Sequence, residues 1–361
     1  MKILQIITSL SFGGAEKLIL DSVPLYQKKG LVVDVLCLNS HRTAFTEELE
    51  RKYGFKVNGL TEKSVYNPLL IFKIIPYLKK YDVVHAHLFP TLYWVVLAKW
   101  ISFSKVKIVY TEHSTNNRRR NNKILSLTDR FIYSKLNHIS CISDSTLVNL
   151  TKHLKLSLPN MNVIYNGIHL NKFIKENLQF TNLDFFDKDS YVLIQVSSFR
   201  EQKDQTTLIK SLQYLPQSIK LLLVGDGYLK VQNENLVSTL GLKDRVFFLG
   251  LRNDIPELLN YSDICILSSN YEGFGLAIVE GMASKLPCIA TNVDGIKEVV
   301  EGYGLLFERG NVKELANLIT KLTVDKEFYA KVAQQCFERA QDFDINNMID
   351  QYISLYKKVN E

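Results

Sequence analysis

Short runs of Val, Ile and Leu recur along this chain with amphipathic stretches between them, and this alternation constrains the fold more than any other feature. The candidate strands are Ile3–Thr8, Val32–Leu38, Val83–His87, Lys107–Thr111, His138–Ile142 and Asn162–Tyr165, then Tyr191–Val196, Lys220–Val224, Arg245–Leu249, Ile264–Ser268 and Cys288–Thr291. Ala15–Lys29, Leu69–Lys80, Thr206–Leu215 and Gly275–Ser284 carry apolar residues at helical spacing. Strands apolar on both faces, each followed by a helix, predict parallel sheets covered on both sides, and so doubly wound α/β domains. At 361 residues the chain exceeds what one core usually supports. The polar, aperiodic segment Leu170–Ser190 separates the two strand series. Two Rossmann-like domains, 1–170 and 171–345, are therefore expected.

Bulk properties exclude several classes. An apolar content of 46% rules out a disordered chain. The five cysteines are scattered singly, without the paired spacing of a zinc or redox site, and predict reduced thiols in a cytoplasmic setting. MKILQIITSL reads as a first strand, and the run Leu92–Ile101 is too short to span a membrane. Charge is uneven: residues 1–175 hold 25 Lys and Arg against 11 Asp and Glu, and the remainder 19 against 26. Part of the basic excess is the loop NNRRRNNK, with Arg118, Arg119 and Arg120. It is either a solvated positive face or a surface that attracts anionic lipid head groups or a phosphorylated substrate. Nucleic acid is not the expected partner, because the nearby aromatics belong to apolar runs instead of alternating with the arginines.

In doubly wound sheets ligands bind beyond the carboxyl ends of the strands, beside helix N-termini, so the loops after strands carry the functional information. After the first strand, Gly13 and Gly14 open a helix, either as a tight turn or as a place where backbone N–H groups approach a phosphate. His113 follows the strand Lys107–Thr111, as a structural histidine or a contact for a substrate hydroxyl. Arg200 and Lys203 lie before a helix whose N-cap is Asp204 or Thr206; two cations there can neutralise a diphosphate. Gly225 and Gly227 bracket Asp226 after the next strand, as a turn or a surface for a base or ribose.

The stretch NYEGFGLAIVEGMASK is the most informative. Glu272 lies in the loop over a helix N-terminus, with Phe274, Gly275 and Leu276 at its start, and Glu280 lies about one turn inside. Free N–H groups there suit a diphosphate, and two carboxylates suit sugar and ribose hydroxyls, since a charged acceptor strengthens a hydroxyl hydrogen bond.

Taken in order, FGGAE, TEH, YNGI, FREQKD, EGFGLAIVE and DGIKEVV resemble the retaining glycosyltransferases of family 4 over essentially the whole chain. The resemblance implies the GT-B fold, two Rossmann-like domains facing across a cleft, with residues 346–361 forming a helix that returns to the first domain. It implies that Glu280 holds the ribose, Glu272 and His113 contact the donor sugar, Arg200 and Lys203 hold the diphosphate, and Gly14 approaches the phosphate or acceptor. Where the family often has Gly-Arg, this chain has Ser197-Ser198, with the basic position displaced to Arg200; Asp294-Gly295 replaces a frequent Gly-Gly and affects only loop shape.

The expected activity is transfer of a sugar, with retention, from a UDP- or GDP-linked donor to a saccharide hydroxyl, with a lipid-linked acceptor docked on the cytoplasmic membrane face. No metal or other cofactor is expected, because the only Asp-x-Asp strings, Asp187–Asp189 and Asp342–Asp344, are not at strand ends. A non-hydrolysing sugar-nucleotide epimerase and a non-catalytic GT-B scaffold are the rival readings. A Rossmann dehydrogenase is disfavoured, since no G-x-G-x-x-G fingerprint is present.

Overall fold

In the computed structural model, residues 1–11, 13–115, 123–155, 159–174, 186 and 190–361 are described. The chain divides into two compact units, Met1–Gly167 together with Ile345–Glu361, and Ile168–Asp344.

The first unit is built on β1 (Lys2–Ile7), β2 (Val32–Asn39), β3 (Val57–Thr61), β4 (Val83–His87), β5 (Lys107–Glu112), β6 (His138–Cys141) and β7 (Met161–Val163). They form one parallel sheet in the order β3-β2-β1-β4-β5-β6-β7. Alternate residues of each strand serve different faces. Leu4 and Ile6 of β1 join Leu36, Val84, Ile108 and the helices 70–78 and 91–101 in one core layer. The residue between them, Gln5, points to the opposite face, where it meets Tyr356 of the helix Ile345–Asn360. That helix buries Met348, Tyr352, Ile353 and Tyr356. Tyr356 also packs its ring 5.8 Å from that of Tyr26 on the helix Gly14–Lys28.

The second unit contains β8 (Tyr191–Val196), β9 (Ile219–Val224), β10 (Val246–Gly250), β11 (Ile264–Leu267), β12 (Cys288–Thr291) and β13 (Leu305–Phe307), all parallel, in the order β10-β9-β8-β11-β12-β13. In each sheet the winding direction reverses once, between β1 and β4 and between β8 and β11. The carboxyl ends of those strands are where such folds place ligands.

The sequence reading omits β3 and β13 and extends the strand at β10 to include Arg245. Arg245 is buried just before the strand, where its guanidinium donates to the carbonyls of Leu212, Pro216 and Ile219. Among the described residues, no helix is long and apolar enough to cross a membrane.

Candidate functional site

In the second unit, the loops after β8 and β11 are joined into one platform. The peptide N–H of Asn270 donates to Gln202 O at 2.7 Å and its side-chain amide to Glu201 O at 2.7 Å, while Gln202 donates to Tyr271 O at 3.1 Å. Beneath them lies a buried polar layer. Ser268 Oγ is within hydrogen-bond reach of Gln195 Oε1 and of the Lys203 and Asp204 carbonyls, and Ser197 Oγ accepts from Gln195 and Gln205 at 2.9 Å each. Gln195, Gln205 and Ser268 are 1–2% exposed. Unmet polar groups at that depth cost about 1–3 kcal/mol each, so this layer fixes the two loops against one another. Sequence reasoning did not single out these three residues; a buried Gln in an otherwise apolar strand, at Gln195, was the available signal.

The platform carries the residues expected to hold a donor. Lys203 ends a short 3-10 turn, Glu201–Lys203, and Asp204 caps the next helix by accepting from the Thr207 N–H. Lys203 Nζ is ion-paired with Glu272 Oε2, both side chains being largely buried. Glu272 also accepts from Ser269 Oγ at 3.4 Å and the Gly273 N–H at 3.3 Å. Lys203 and Glu272 thus meet directly, which their 69-residue separation concealed. Arg200, at the start of the turn, is exposed, and no described carboxylate pairs with it.

The helix Leu276–Ala283 begins at Gly275, whose φ of +89° is reached at little cost only by glycine. Its first N–H groups, which lack intrahelical acceptors, and its positive dipole end follow immediately after Glu272. Glu280 is 5% exposed within this helix. Phe274 immediately precedes the N-cap Gly275. The ring is buried and packs edge-on against Phe343, centroids 5.1 Å apart, so it anchors the loop, leaving its backbone and those of Gly275 and Leu276 as the groups a ligand could use.

Three glycines stand where a side chain would meet backbone. A Cβ on Gly225 would lie 2.2 Å from Ser197 O and one on Gly227 2.4 Å from Phe199 O. The space a side chain would need there is filled by the protein's own β8 loop, which is the close approach the turn reading requires. Gly295 does more than shape its loop: a Cβ there would lie 2.4 Å from Glu272 O and 2.8 Å from Gly273 C. Gly295 therefore sets how closely its loop seats the Glu272 backbone.

In the first unit, Gly14 is the first residue of the helix after β1, with Gly13 as its extended N-cap. His113, half-buried after β5, is not a lone histidine. Its Nε2 lies 3.0 Å from His87 Nδ1, and burial pushes its imidazole down to about 4. Burial first, and neighbouring histidines second, push His85 and His87 well below the usual range as well. Arg118, Arg119, Arg120 and Asp187–Asp189 lie outside the described residues.

Comparison with known proteins identifies the family. Residues 12–172 match the model of Glycosyltransferase Family 4, and residues 180–339 that of Glycosyl transferases group 1. The chain is 30% identical to N-acetyl-alpha-D-glucosaminyl L-malate synthase of Bacillus anthracis, over 77% of this chain and 75% of that one. It is 28% identical to UDP-Gal:alpha-D-GlcNAc-diphosphoundecaprenol alpha-1,3-galactosyltransferase of Escherichia coli, over 77% and 76%. The crystal structure of Anabaena HepE in complex with UDP and glucose superposes with a TM-score of 0.87 at 25% identity, covering 99% of this chain and 100% of that one. The two parallel-sheet Rossmann-like domains are those of GT-B proteins, and the chain belongs to the family 4 and group 1 glycosyltransferases.

Proposed function

We propose that this glycosyltransferase moves a sugar from a UDP-sugar to a hydroxyl of a lipid-linked saccharide, with retention at the anomeric carbon and without a metal. The observation that carries the reading is the Lys203–Glu272 ion pair beside a helix N-terminus, with Glu280 buried one turn further on. A donor diphosphate offers Lys203 a doubly charged partner, with Arg200 exposed nearby and the helix N–H groups alongside. Lys203 then exchanges Glu272 for phosphate, and Glu272 becomes an acceptor for sugar hydroxyls. Glu280 accepts from the ribose, and His113 and Gly14 contact donor sugar and phosphate. Cations and N–H groups fixed in place stabilise the departing diphosphate, the largest charge to develop in the reaction. In the Asp342–Asp344 string, Asp342 is already paired with Arg339 at 2.8 Å.

UDP as the leaving group is supported by the UDP named in HepE and in the E. coli relative, and a lipid-linked acceptor by the latter's diphosphoundecaprenol substrate. The first unit also exposes Trp100, Ile101, Phe103, Leu127 and Phe131, with Trp100 edge-on to Phe131 at 6.1 Å and Lys135 Nζ 5.1 Å from the Phe131 ring centroid. Exposed aromatics beside lysines, on the basic half of the chain, suit the head-group region of an anionic membrane. A second reading is favoured by the B. anthracis relative, whose name specifies L-malate: the same basic unit would suit a small anionic acceptor.

The test is transfer of radiolabelled sugar from UDP-glucose, UDP-galactose and UDP-N-acetylglucosamine, in EDTA, to membrane lipid extract or to malate, with the anomeric configuration of the product read by NMR. Label in lipid with the donor's configuration is expected. Transfer to malate alone would select the second reading, and an absolute metal requirement or an inverted product would overturn the mechanism. Flotation with anionic liposomes should weaken in a Trp100→Ala/Phe131→Ala variant; equal, negligible flotation would leave this a solvated face.

A further inference from the structure

The face of the first sheet that meets the helix 345–360 is polar where an apolar layer would be expected. Gln5 of β1 stands opposite His85 of β4, and His87 opposite Thr111 of β5. Gln5, His85, His87, Thr111, Tyr352 and Tyr356 are all buried, none above 7% exposed. The adjoining cavity, about 20 Å³, has room for a water. So much buried polarity is tolerable only when every donor finds an acceptor, and that condition fixes the protons.

The chain of bonds can be followed from Gln5 in both directions. Gln5 Nε2 donates to Tyr356 Oη at 3.1 Å, so the Tyr356 hydroxyl is free to donate to His85 Nδ1 at 2.6 Å. His85 then carries its proton on Nε2 and donates to Thr111 Oγ1 at 2.7 Å; Thr111 donates to Tyr352 Oη at 2.9 Å, and Tyr352 to Ser140 Oγ at 3.3 Å. In the other direction, Gln5 Oε1 lies 2.8 Å from His87 Nε2. A carbonyl oxygen cannot donate, so His87 carries its proton on Nε2. Burial keeps that ring neutral, which leaves His87 Nδ1 as a bare lone pair. The 3.0 Å contact to His113 Nε2 can then form only if His113 donates.

We propose that Gln5, acting through His87, holds His113 in the Nε2-protonated neutral tautomer, so that His113 Nδ1 is a fixed acceptor for a hydroxyl of the donor sugar. Gln5 and His87 are positioning residues, and the role given to Nδ1 rests on the transferase reading above. Reversing the Gln5 amide would reverse both branches and turn His113 Nδ1 into a donor. The far end opposes that reversal, because Tyr352 would have to donate to Thr111 and abandon Ser140. The two ends of the network thus agree on one polarity. An acceptor of fixed direction selects for a hydroxyl that can donate to it, and no reorganisation is then needed when the sugar arrives.

The experiment is a ring-nitrogen NMR spectrum of the full chain labelled with 15N-histidine, His113 being assigned by its loss in His113→Gln. The expected result is a proton on Nε2 and none on Nδ1 of His113. Gln5→Glu, whose carboxylate still accepts from His87, should keep that pattern, whereas Gln5→Met should give a mixture of both tautomers. A proton on His113 Nδ1 in the unaltered protein, or an unchanged pattern in Gln5→Met, overturns the relay; the first of these needs no variant to fold. In kinetics with UDP-glucose, Gln5→Met should raise KM about tenfold, the value of one hydrogen bond, with UDP affinity unchanged and Gln5→Glu close to the original. Equal KM increases in both variants would overturn the positioning role. Absence of any UDP binding to the unaltered protein would overturn the transferase reading and with it the role of Nδ1, while the spectra would still decide the relay.

Discussion

The buried histidines make the first unit sensitive to mild acid. His113 is held at about 4 in the folded chain against an ordinary value of 6.5, and burial also holds His85 and His87 well below that ordinary value. The unfolded chain therefore binds more protons than the folded one between these values, so stability rises with pH across that window and falls as acid is added. For His113 alone the loss between pH 7 and pH 5 is about 2 kcal/mol. The other two histidines, and His138, which burial also depresses, act in the same direction. The two carboxylates Glu50 and Asp254, held low chiefly by hydrogen bonds from Arg42 and Arg252, lose their contribution only below about pH 4.5. Asp263, which burial raises and which therefore acts in the opposite direction, belongs to the second unit, which holds neither tryptophan. The assay is also specific, since both tryptophans, Trp94 and Trp100, lie in the first unit. A fluorescence-monitored melt should fall by at least about 4–8 °C from pH 7 to pH 5, and by about that much less in His113→Gln. A midpoint that is level or higher at pH 5 would refute the protonation states on which this reasoning depends.

Two further predictions concern the second unit. Gly295→Ala should cost about 1 kcal/mol or more through its positive φ, and should lower sugar transfer further than that loss of stability explains, because the new Cβ displaces Glu272; unchanged turnover would refute the contact's importance. Ser268→Ala removes a hydroxyl from the buried layer beneath both loops and should cost about 1–3 kcal/mol in urea unfolding followed by circular dichroism, with a loss near zero refuting the layer's role.

How far the sequence could be read depended on whether the signal lay within one strand. Val83–His87, Tyr191–Val196 and Cys288–Thr291 coincide with β4, β8 and β12, because buried parallel strands are continuous apolar runs. The missed strands are the short edges VNGLT and LLF, which have neighbours on one side only and little apolar patterning. The residues proposed to hold a donor could be singled out because they follow strand ends in motifs of fixed spacing. The Lys203–Glu272 pair was not, nor was the Gln195–Ser268–Gln205 layer, since both depend on β8 and β11 being neighbours across an intervening 70 residues or so. His113 read as isolated for the same reason. The pairing of His87 with Thr111 brings it to its partner, and the tyrosines that complete the network come from the last helix of the chain.

The central claim, that the platform after β8 and β11 binds the nucleotide of a UDP-sugar, is tested most directly by calorimetric titration of the metal-free protein with UDP, beside Glu280→Gln. The account predicts saturable binding to the unaltered chain and affinity at least about tenfold weaker in the variant, whose neutral amide is a poorer acceptor for ribose hydroxyls, with little change in melting temperature. Equal affinity in both proteins, or no binding to either, would contradict it.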